Sequence, residues 1–416
     1  MSERAAPPSV NPDGWPANKP VDNKADWKRF EASDKAAGFE ISDDFERFDQ
    51  RNDMFNRAFW DDEVISDHVT AFFQAYINPK PRKADGFTQW DYALLNASWS
   101  VSNEFSARGG KTGVREGFLD PFKKFTPLAP TKVDIDDLEK TSNRLRKVAE
   151  FFGADAFGVT EYDERFAYAS IADVRTNERE EKFNPVTEGM TNVIVVGHGM
   201  DFGLVQSYPS ALGASATGRE YSREAAVATT IASFIQGLGY NAIASSNDSA
   251  LTIPYAIKAG LGEYGRNQMV ITPDHGPRIR FSKVFTDMPL AHNKPVKSGV
   301  TETCNVCQKC ADACPPKALP YGPPKEGGEN RSTIKGVKKW SANCEKCFSY
   351  WTKMRADCAI CMRVCPYNKD FSKWYMRLFR DLLNSPLRKV MLWLDDKLKF
   401  DVRKPPREWW GDTPAP

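Results

Sequence analysis

Cysteine is absent from the first 303 residues of this chain, and nowhere is there an apolar run of the roughly 18 residues that a membrane-spanning helix needs. The N-terminal stretch shows neither the apolar core of an export signal nor a twin-arginine motif. The expectation is a protein that is soluble as given. It is cytoplasmic if Met1 is the native start, and otherwise exported and attached peripherally to the membrane. An excess of one charge is also missing. Fifty-seven Lys and Arg oppose 55 Asp and Glu, interleaved along the chain, which argues against a nucleic-acid platform. Histidine is scarce, with four in 416 residues.

What is present is uneven. Aromatic residues make up 12% of the chain and include 11 Trp, which suits an extensive core or a large apolar cavity. All nine cysteines fall between Cys304 and Cys365. A disulfide-stabilised secreted protein would scatter its cysteines to tie distant loops together. Crowding them into one short stretch points to metal binding instead.

The spacing names the metal centre. Cys304-x2-Cys307-x2-Cys310-x3-Cys314-Pro315 is the bacterial ferredoxin run, and Cys347-x10-Cys358-x2-Cys361-x3-Cys365-Pro366 repeats its ending. Each tight run supplies three thiolates to one [4Fe–4S] cluster and sends its fourth to the other. The expected sets are therefore Cys304, Cys307, Cys310 and Cys365 for one cluster, and Cys347, Cys358, Cys361 and Cys314 for the other. C-x2-C pairs also suit tetrahedral zinc, but the two Cys-Pro endings and the x2-x2-x3 spacing favour clusters. Cys344 is the ninth cysteine, either a spare thiol near a cluster or a replacement for Cys347. Two adjacent clusters form a wire, so the residues before them should hold the group being reduced.

Organisation along the chain follows from composition and periodicity. Residues 1–45 are polar and aperiodic, which predicts an extended arm, and 46–130 form an aromatic-rich unit. Within 131–295, an acidic N-cap at Asp136 and Asp137 opens a helix that Gly153 stops. Strands are predicted at 156–161 and 192–196, the latter ending in Gly197-His198-Gly199. A second helix is expected from about Ser222 to Gln236, then a strand at 240–244, a short helix at 253–259, and strands near 269–272 and 278–286. Residues 162–190 read as an insertion over the core. Strands alternating with helices imply an α/β or α+β core. A two-cluster ferredoxin-like domain at 296–370 and a tail at 371–416, helical at first and packed back on the body, complete the chain.

Several segments carry a family resemblance. Arg51-Asn-Asp-Met-Phe-Asn-Arg-Ala-Phe59, Gly239-Tyr-Asn-Ala-Ile243, Asn247-Asp248, Ala259-Gly-Leu-Gly-Glu-Tyr-Gly-Arg-Asn267, Gly276-Pro-Arg-Ile-Arg280, Lys283-Val-Phe-Thr-Asp287 and Glu345-Lys-Cys-Phe-Ser-Tyr-Trp351 resemble the corrinoid-dependent reductive dehalogenases of the respiratory type. The ferredoxin runs are shared with the more distant epoxyqueuosine reductases. The resemblance implies a nitroreductase-like core holding a base-off cobamide close to the nearer cluster. The family lacks the D-x-H-x-x-G motif that supplies an axial His in other corrinoid proteins. This chain agrees, since Asp274-His275-Gly276 has the wrong spacing. Removing that nitrogen donor makes Co(II) easier to reduce.

Residue by residue, the resemblance implies Tyr221 as proton donor, Asn247 beside it and Arg280 as the basic partner, with Arg278 the alternative. A guanidinium next to a phenol favours phenolate and is expected to lower its pKa. Each has a plainer reading: Tyr221 as a helix-start residue bonded to backbone, Asn247 as a turn cap, Arg280 as a surface cation. Because ligands gather at the C-terminal ends of strands, His198, Met200, Thr272 and His275 are candidate cobamide contacts. The implied reaction is R–X + 2e⁻ + H⁺ → R–H + X⁻ on a small organohalide. It is fed by an external electron donor, with a small membrane-anchor protein as a further partner and no nucleic acid. The rivals are an epoxyqueuosine reductase-like enzyme and a non-corrinoid iron–sulfur electron carrier.

Overall fold

The computed structural model describes residues 24, 26–111, 118–119, 128–169, 171–173, 178–182, 189–247, 249–328 and 330–412. In chain order the helices before the first strand are α1 (Glu31–Ala37), α2 (Met54–Trp60), α3 (Asp67–Ala75) and α4 (Gln89–Lys111). Then come β1 (Phe118–Leu119), α5 (Leu138–Phe151), β2 (Ala156–Glu161), β3 (Ile171–Asp173), β4 (Glu178–Lys182), β5 (Asn192–Gly199), α6 (Phe202–Gln206) and α7 (Ala211–Gly237). The core closes with β6 (Ala242–Ser245), α8 (Thr252–Lys258), β7 (Glu263–Tyr264), β8 (Val270–Ile271) and β9 (Ile279–Thr286). The cysteine segment holds α9 (Val300–Val306), α10 (Lys309–Ala313), α11 (Cys344–Met354) and α12 (Ile360–Arg363), followed by α13 (Trp374–Leu383), α14 (Arg388–Lys397) and α15 (Pro406–Trp409).

The central sheet has the order β1-β6-β9-β5-β2, and every pairing in it is antiparallel. Of the two expected classes the fold is therefore α+β. Alternation along the strands assigns the faces. Ile194, Val196, Ala244 and Val284 face α5 and α7, whereas Val193, Val195, Ile243 and Phe285 face α8 and Phe166. Truncating one of these fully buried side chains to Ala should cost about 2–5 kcal/mol. Helix α5 begins where expected, with the Asp137 carboxylate accepting from Lys140 N at 2.8 Å, and Gly153 ends it at φ 98°.

Two expectations change. The part of residues 1–45 that is described is not extended: α1 packs on the core, Phe30 and Phe45 are buried, and Asp34 pairs with Arg165 at 2.8 Å. Burying two aromatic rings and closing a buried ion pair outweighs the low helix signal of a polar segment. Residues 1–23 lie outside the described residues, as do 170, 174–177 and 183–188 of the insertion, in which β3 and β4 form a two-stranded ribbon. Helix α7 starts at Ala211, eleven residues before the expected Ser222, with the Ser210 hydroxyl capping Gly213 N at 2.8 Å. Its first turns carry small residues that are buried all round, so no polar face marks them.

The aromatic-rich segment bridges the sheet and the cysteine segment. Phe72 of α3 lies 5.7 Å from Phe348 of α11, and Phe55 lies 5.5 Å from the same ring. Helix α4 runs against α7, where a Cβ on Gly218 would fall 2.2 Å from Ser98 Oγ and 2.5 Å from Trp99 Cδ1. That glycine lets the two helices meet. The tail packs back through Phe379, Leu383 and Met391, which share a core cluster with Cys304 and Cys365.

Candidate functional site

A cavity of about 400 Å³ lies between the α7–β9 face of the core and the cysteine segment. Tyr221, Asn247 and Arg280 all line it. Tyr221 sits in the middle of α7, Asn247 follows β6, and Arg280 is the second residue of β9. Arg280 shares its strand face with Val284, the face that α7 covers, which puts its guanidinium 5.5 Å from the centre of the Tyr221 ring. The Tyr221 ring also stacks on Trp99 at 4.8 Å with a 24° interplanar angle. Asn247 Nδ2 donates to Tyr221 Oη at 2.5 Å. The phenol oxygen therefore has its acceptor role filled, and its own O–H is left to donate into the cavity.

Electrostatics correct one expectation. Burial raises the Tyr221 phenol, and Arg280 only partly opposes this, so the group is pushed up to about 12 rather than lowered. The phenol stays protonated at neutral pH. Arg278 is engaged elsewhere: its Nη atoms donate to the carbonyls of Met200 and Lys369, each at 3.0 Å. Arg280 Nη2 makes one long contact of 3.4 Å with Thr217 Oγ1, and its Nε is buried without a protein partner.

The nine thiols are all free and divide between two cavities, and the eight of the two ferredoxin runs split four and four. Cys304, Cys307, Cys310 and Cys365 line a small one, while Cys314, Cys347, Cys358 and Cys361 line the same cavity as Tyr221. Each set draws three thiols from one run and one from the other. This is a donor set that fits two cubane clusters, one per cavity. Cys344 lines the large cavity beside Cys347, its thiol 3.7 Å from Ala342 O, pushed up by burial against the opposing charge of Lys339.

The four candidate cofactor contacts do not line the cavity. His198 is fully buried within β5, paired across the sheet with Arg280, and both ring nitrogens lack a protein partner. Burial, with Arg223 adding to it, lowers its pKa to about 4. Met200 is buried and donates its N–H to Arg278 O at 2.9 Å. Thr272 and His275 belong to a tight turn in which Thr272 Oγ1 donates to Gly276 O and accepts from His275 N. The strand-end rule belongs to parallel sheets, and this sheet is antiparallel. No histidine lines the cavity among the described residues, so the protein offers no imidazole to a metal there.

Two neighbours of the site, Glu224 and Arg266, have no role assigned from the sequence. Glu224 lines the cavity one turn beyond Tyr221, is 1% exposed, and accepts from Ser246 Oγ. Arg266 is buried beneath the smaller thiol cavity, donating to the carbonyls of Cys304, Cys307, Pro320, Tyr321 and Gly322 at 2.8–3.1 Å. Glu263 holds the start of α9, accepting from the backbone of Gly299 at 3.0 Å and the hydroxyl of Ser298 at 2.7 Å.

Residues 303–368 match the family described as a 4Fe-4S double cluster binding domain, and residues 169–290 match that of the reductive dehalogenase subunit. A tetrachloroethene reductive dehalogenase of Desulfitobacterium hafniense is 34% identical over 392 residues, covering 78% of this chain and 68% of the relative. One of the same description from Sulfurospirillum multivorans is 32% identical, covering 67% of this chain and 60% of the relative. An epoxyqueuosine reductase of Lactococcus garvieae is 28% identical over 36% of this chain and 42% of its own. Among solved structures, a reductive dehalogenase described for B12-dependent dehalogenation superposes with a TM-score of 0.69 at 22% identity, covering 89% of this chain and 49% of that one. The chain thus spans about half the length of that solved structure. The identity with the Desulfitobacterium protein, across most of both chains, makes this chain a member of the reductive dehalogenase family.

Proposed function

We propose that this chain removes halide from a small organohalide by two-electron, one-proton reduction, R–X + 2e⁻ + H⁺ → R–H + X⁻. One observation carries the reading: Tyr221, held by Asn247 and flanked by Arg280, lines the same cavity as four cluster-type thiols. Proton donor and electron source bound the same space.

Cys304, Cys307, Cys310 and Cys365 would hold the outer cluster, and Cys314, Cys347, Cys358 and Cys361 the inner one. A cobamide would be held between Tyr221 and the inner thiols, where no histidine among the described residues lines the cavity to act as an axial ligand, and would supply the low-valent cobalt chemistry that breaks a carbon–halogen bond. Tyr221 donates its proton to the carbon from which halide departs. Asn247 fixes the hydroxyl's direction by occupying its acceptor lone pair. Arg280 offsets part of the cost of forming phenolate in a buried site. Aromatic residues at the cavity, including Phe55, Phe348 and Trp351, exclude water and favour an apolar substrate.

Electrons would come from an external donor at the outer cluster, and a small anchor protein is the partner that would bring the chain to a membrane. No helix among the described residues is long and apolar enough to cross one.

The test is anaerobic reconstitution with iron, sulfide and cobalamin, followed by reduction in the presence of tetrachloroethene or of epoxyqueuosine-containing tRNA. Chloride release with the tRNA untouched supports the reading. Reduction of the tRNA without chloride release assigns the chain to the other chemistry.

A further inference from the structure

Tyr221 loses a proton at each turnover and must regain one before the next. The cavity contains a second buried acid placed to return it. Glu224 follows Tyr221 by three residues on α7, so both side chains project on the same helix face. It is 1% exposed and lines the same cavity. Its counterpart one turn earlier, Glu220, is paired with Arg219 at 3.1 Å and Arg223 at 2.6 Å. Glu224 is instead held by a hydroxyl, with Ser246 Oγ donating to Oε1. The residue after Ser246 is Asn247, whose amide holds the Tyr221 oxygen. Adjacent residues of one loop therefore anchor the carboxyl and the phenol.

The remaining charges around Glu224 are accounted for. From β9, Arg280 and Lys283 act on it through space, and Glu220 acts from its own helix. Lys283 directs its ammonium at Ser246 O and at Thr252 Oγ1, the latter at 2.7 Å. Asp53 and Asp357 act on the Tyr221 end of the pair.

We propose that Glu224 reprotonates Tyr221 after each turnover, working through the Ser246 hydroxyl or one water. The proposal rests on the dehalogenase reading. The step is Glu224–COOH + Tyr221–O⁻ → Glu224–COO⁻ + Tyr221–OH, and the carboxylate then takes a proton from solvent. No electrons move in it. Burial raises the carboxyl to about 8, against the Ser246 hydrogen bond and the two cations, so it carries a proton at neutral pH. With the phenol at about 12, transfer from carboxyl to phenolate runs downhill.

The experiment compares the reconstituted holoenzyme with its Glu224→Gln variant, which keeps the shape and an acceptor for Ser246. Chloride release from tetrachloroethene is followed against pH, and the protonated carboxyl stretch by infrared difference spectroscopy. The expected result is a kcat reduced at least about tenfold at pH 7 with KM unchanged. The wild-type alkaline limb near pH 8 should vanish in the variant, together with an infrared band that titrates over the same range. Glu224→Asp should keep the limb at reduced rate, and serves if the Gln variant fails to fold. A Gln variant with wild-type kcat and an unchanged limb overturns the relay while leaving the dehalogenase reading intact. A carboxyl already ionised at pH 7 does the same. Absence of chloride release by the wild type overturns that reading, and the relay with it.

Discussion

The Tyr221 oxygen accepts its 2.5 Å hydrogen bond from the Asn247 amide rather than donating to a protein carbonyl. A buried phenol usually spends its proton on a nearby acceptor. Here the acceptor role is filled by an N–H donor, and the phenol proton remains available. Asn247→Ala should leave cobalamin and iron content unchanged and lower kcat about 10–100-fold, through loss of orientation. Steady-state chloride release on the metal-loaded protein checks this.

The crossing of thiols between cavities predicts which cluster each substitution removes. Cys314→Ser should abolish the signals of the cluster that the second run builds, although Cys314 belongs to the first run. Cys365→Ser should do the reverse. Iron content should fall from about eight to about four atoms in each case. Electron paramagnetic resonance of the reduced variants distinguishes which cluster is left.

Arg266 predicts a stability effect remote from the reaction. Its guanidinium ties the carbonyls of Cys304 and Cys307 to those of Pro320, Tyr321 and Gly322. Arg266→Gln leaves several of these buried acceptors without donors, each costing about 1–3 kcal/mol. The outer cluster should become labile to chelator while the inner one persists. Iron release kinetics under anaerobic conditions report it.

His198 sets an acid limit. Its folded-state pKa is lowered from 6.5 to about 4 by burial, so the unfolded chain takes up the proton first as pH falls. The contribution is complete above pH 6.5 and is lost progressively toward pH 4, by up to about 3 kcal/mol. His198→Gln should flatten the fall in thermal stability between pH 7 and pH 5, measured against the wild type by calorimetry.

The sequence speaks most clearly where the candidate ligands are local and least where partners are distant. Spacing within two short runs already proposes the two sets of four thiols, and the cavities separate the same two sets, with Cys344 beside the second. Tyr221, Asn247 and Arg280 were reachable only through family resemblance, because a Tyr in mid-helix and an Arg on a strand carry no signal by themselves. The glycines around His198 are expected to end a strand, and β5 runs through both of them. In the structure they answer to crowding within the sheet: a Cβ on Gly197 would fall 2.8 Å from Ile279 Cδ1, and one on Gly199 2.4 Å from the His275 ring. Glu224 and Arg266 look like surface charges in a one-dimensional string. Only the tertiary fold, which buries both, gives them roles.

The central claim is that the Tyr221 hydroxyl supplies the proton, and Tyr221→Phe tests it most directly. Phenylalanine keeps the stacking surface on Trp99 and removes only the hydroxyl. Chloride release from tetrachloroethene should be compared for wild type and variant, each reconstituted to the same cobalt and iron content. The account predicts a loss of about 10²–10⁴-fold in kcat with both clusters and cobalamin retained. A variant that loads the same metals and turns over at the wild-type rate would contradict it.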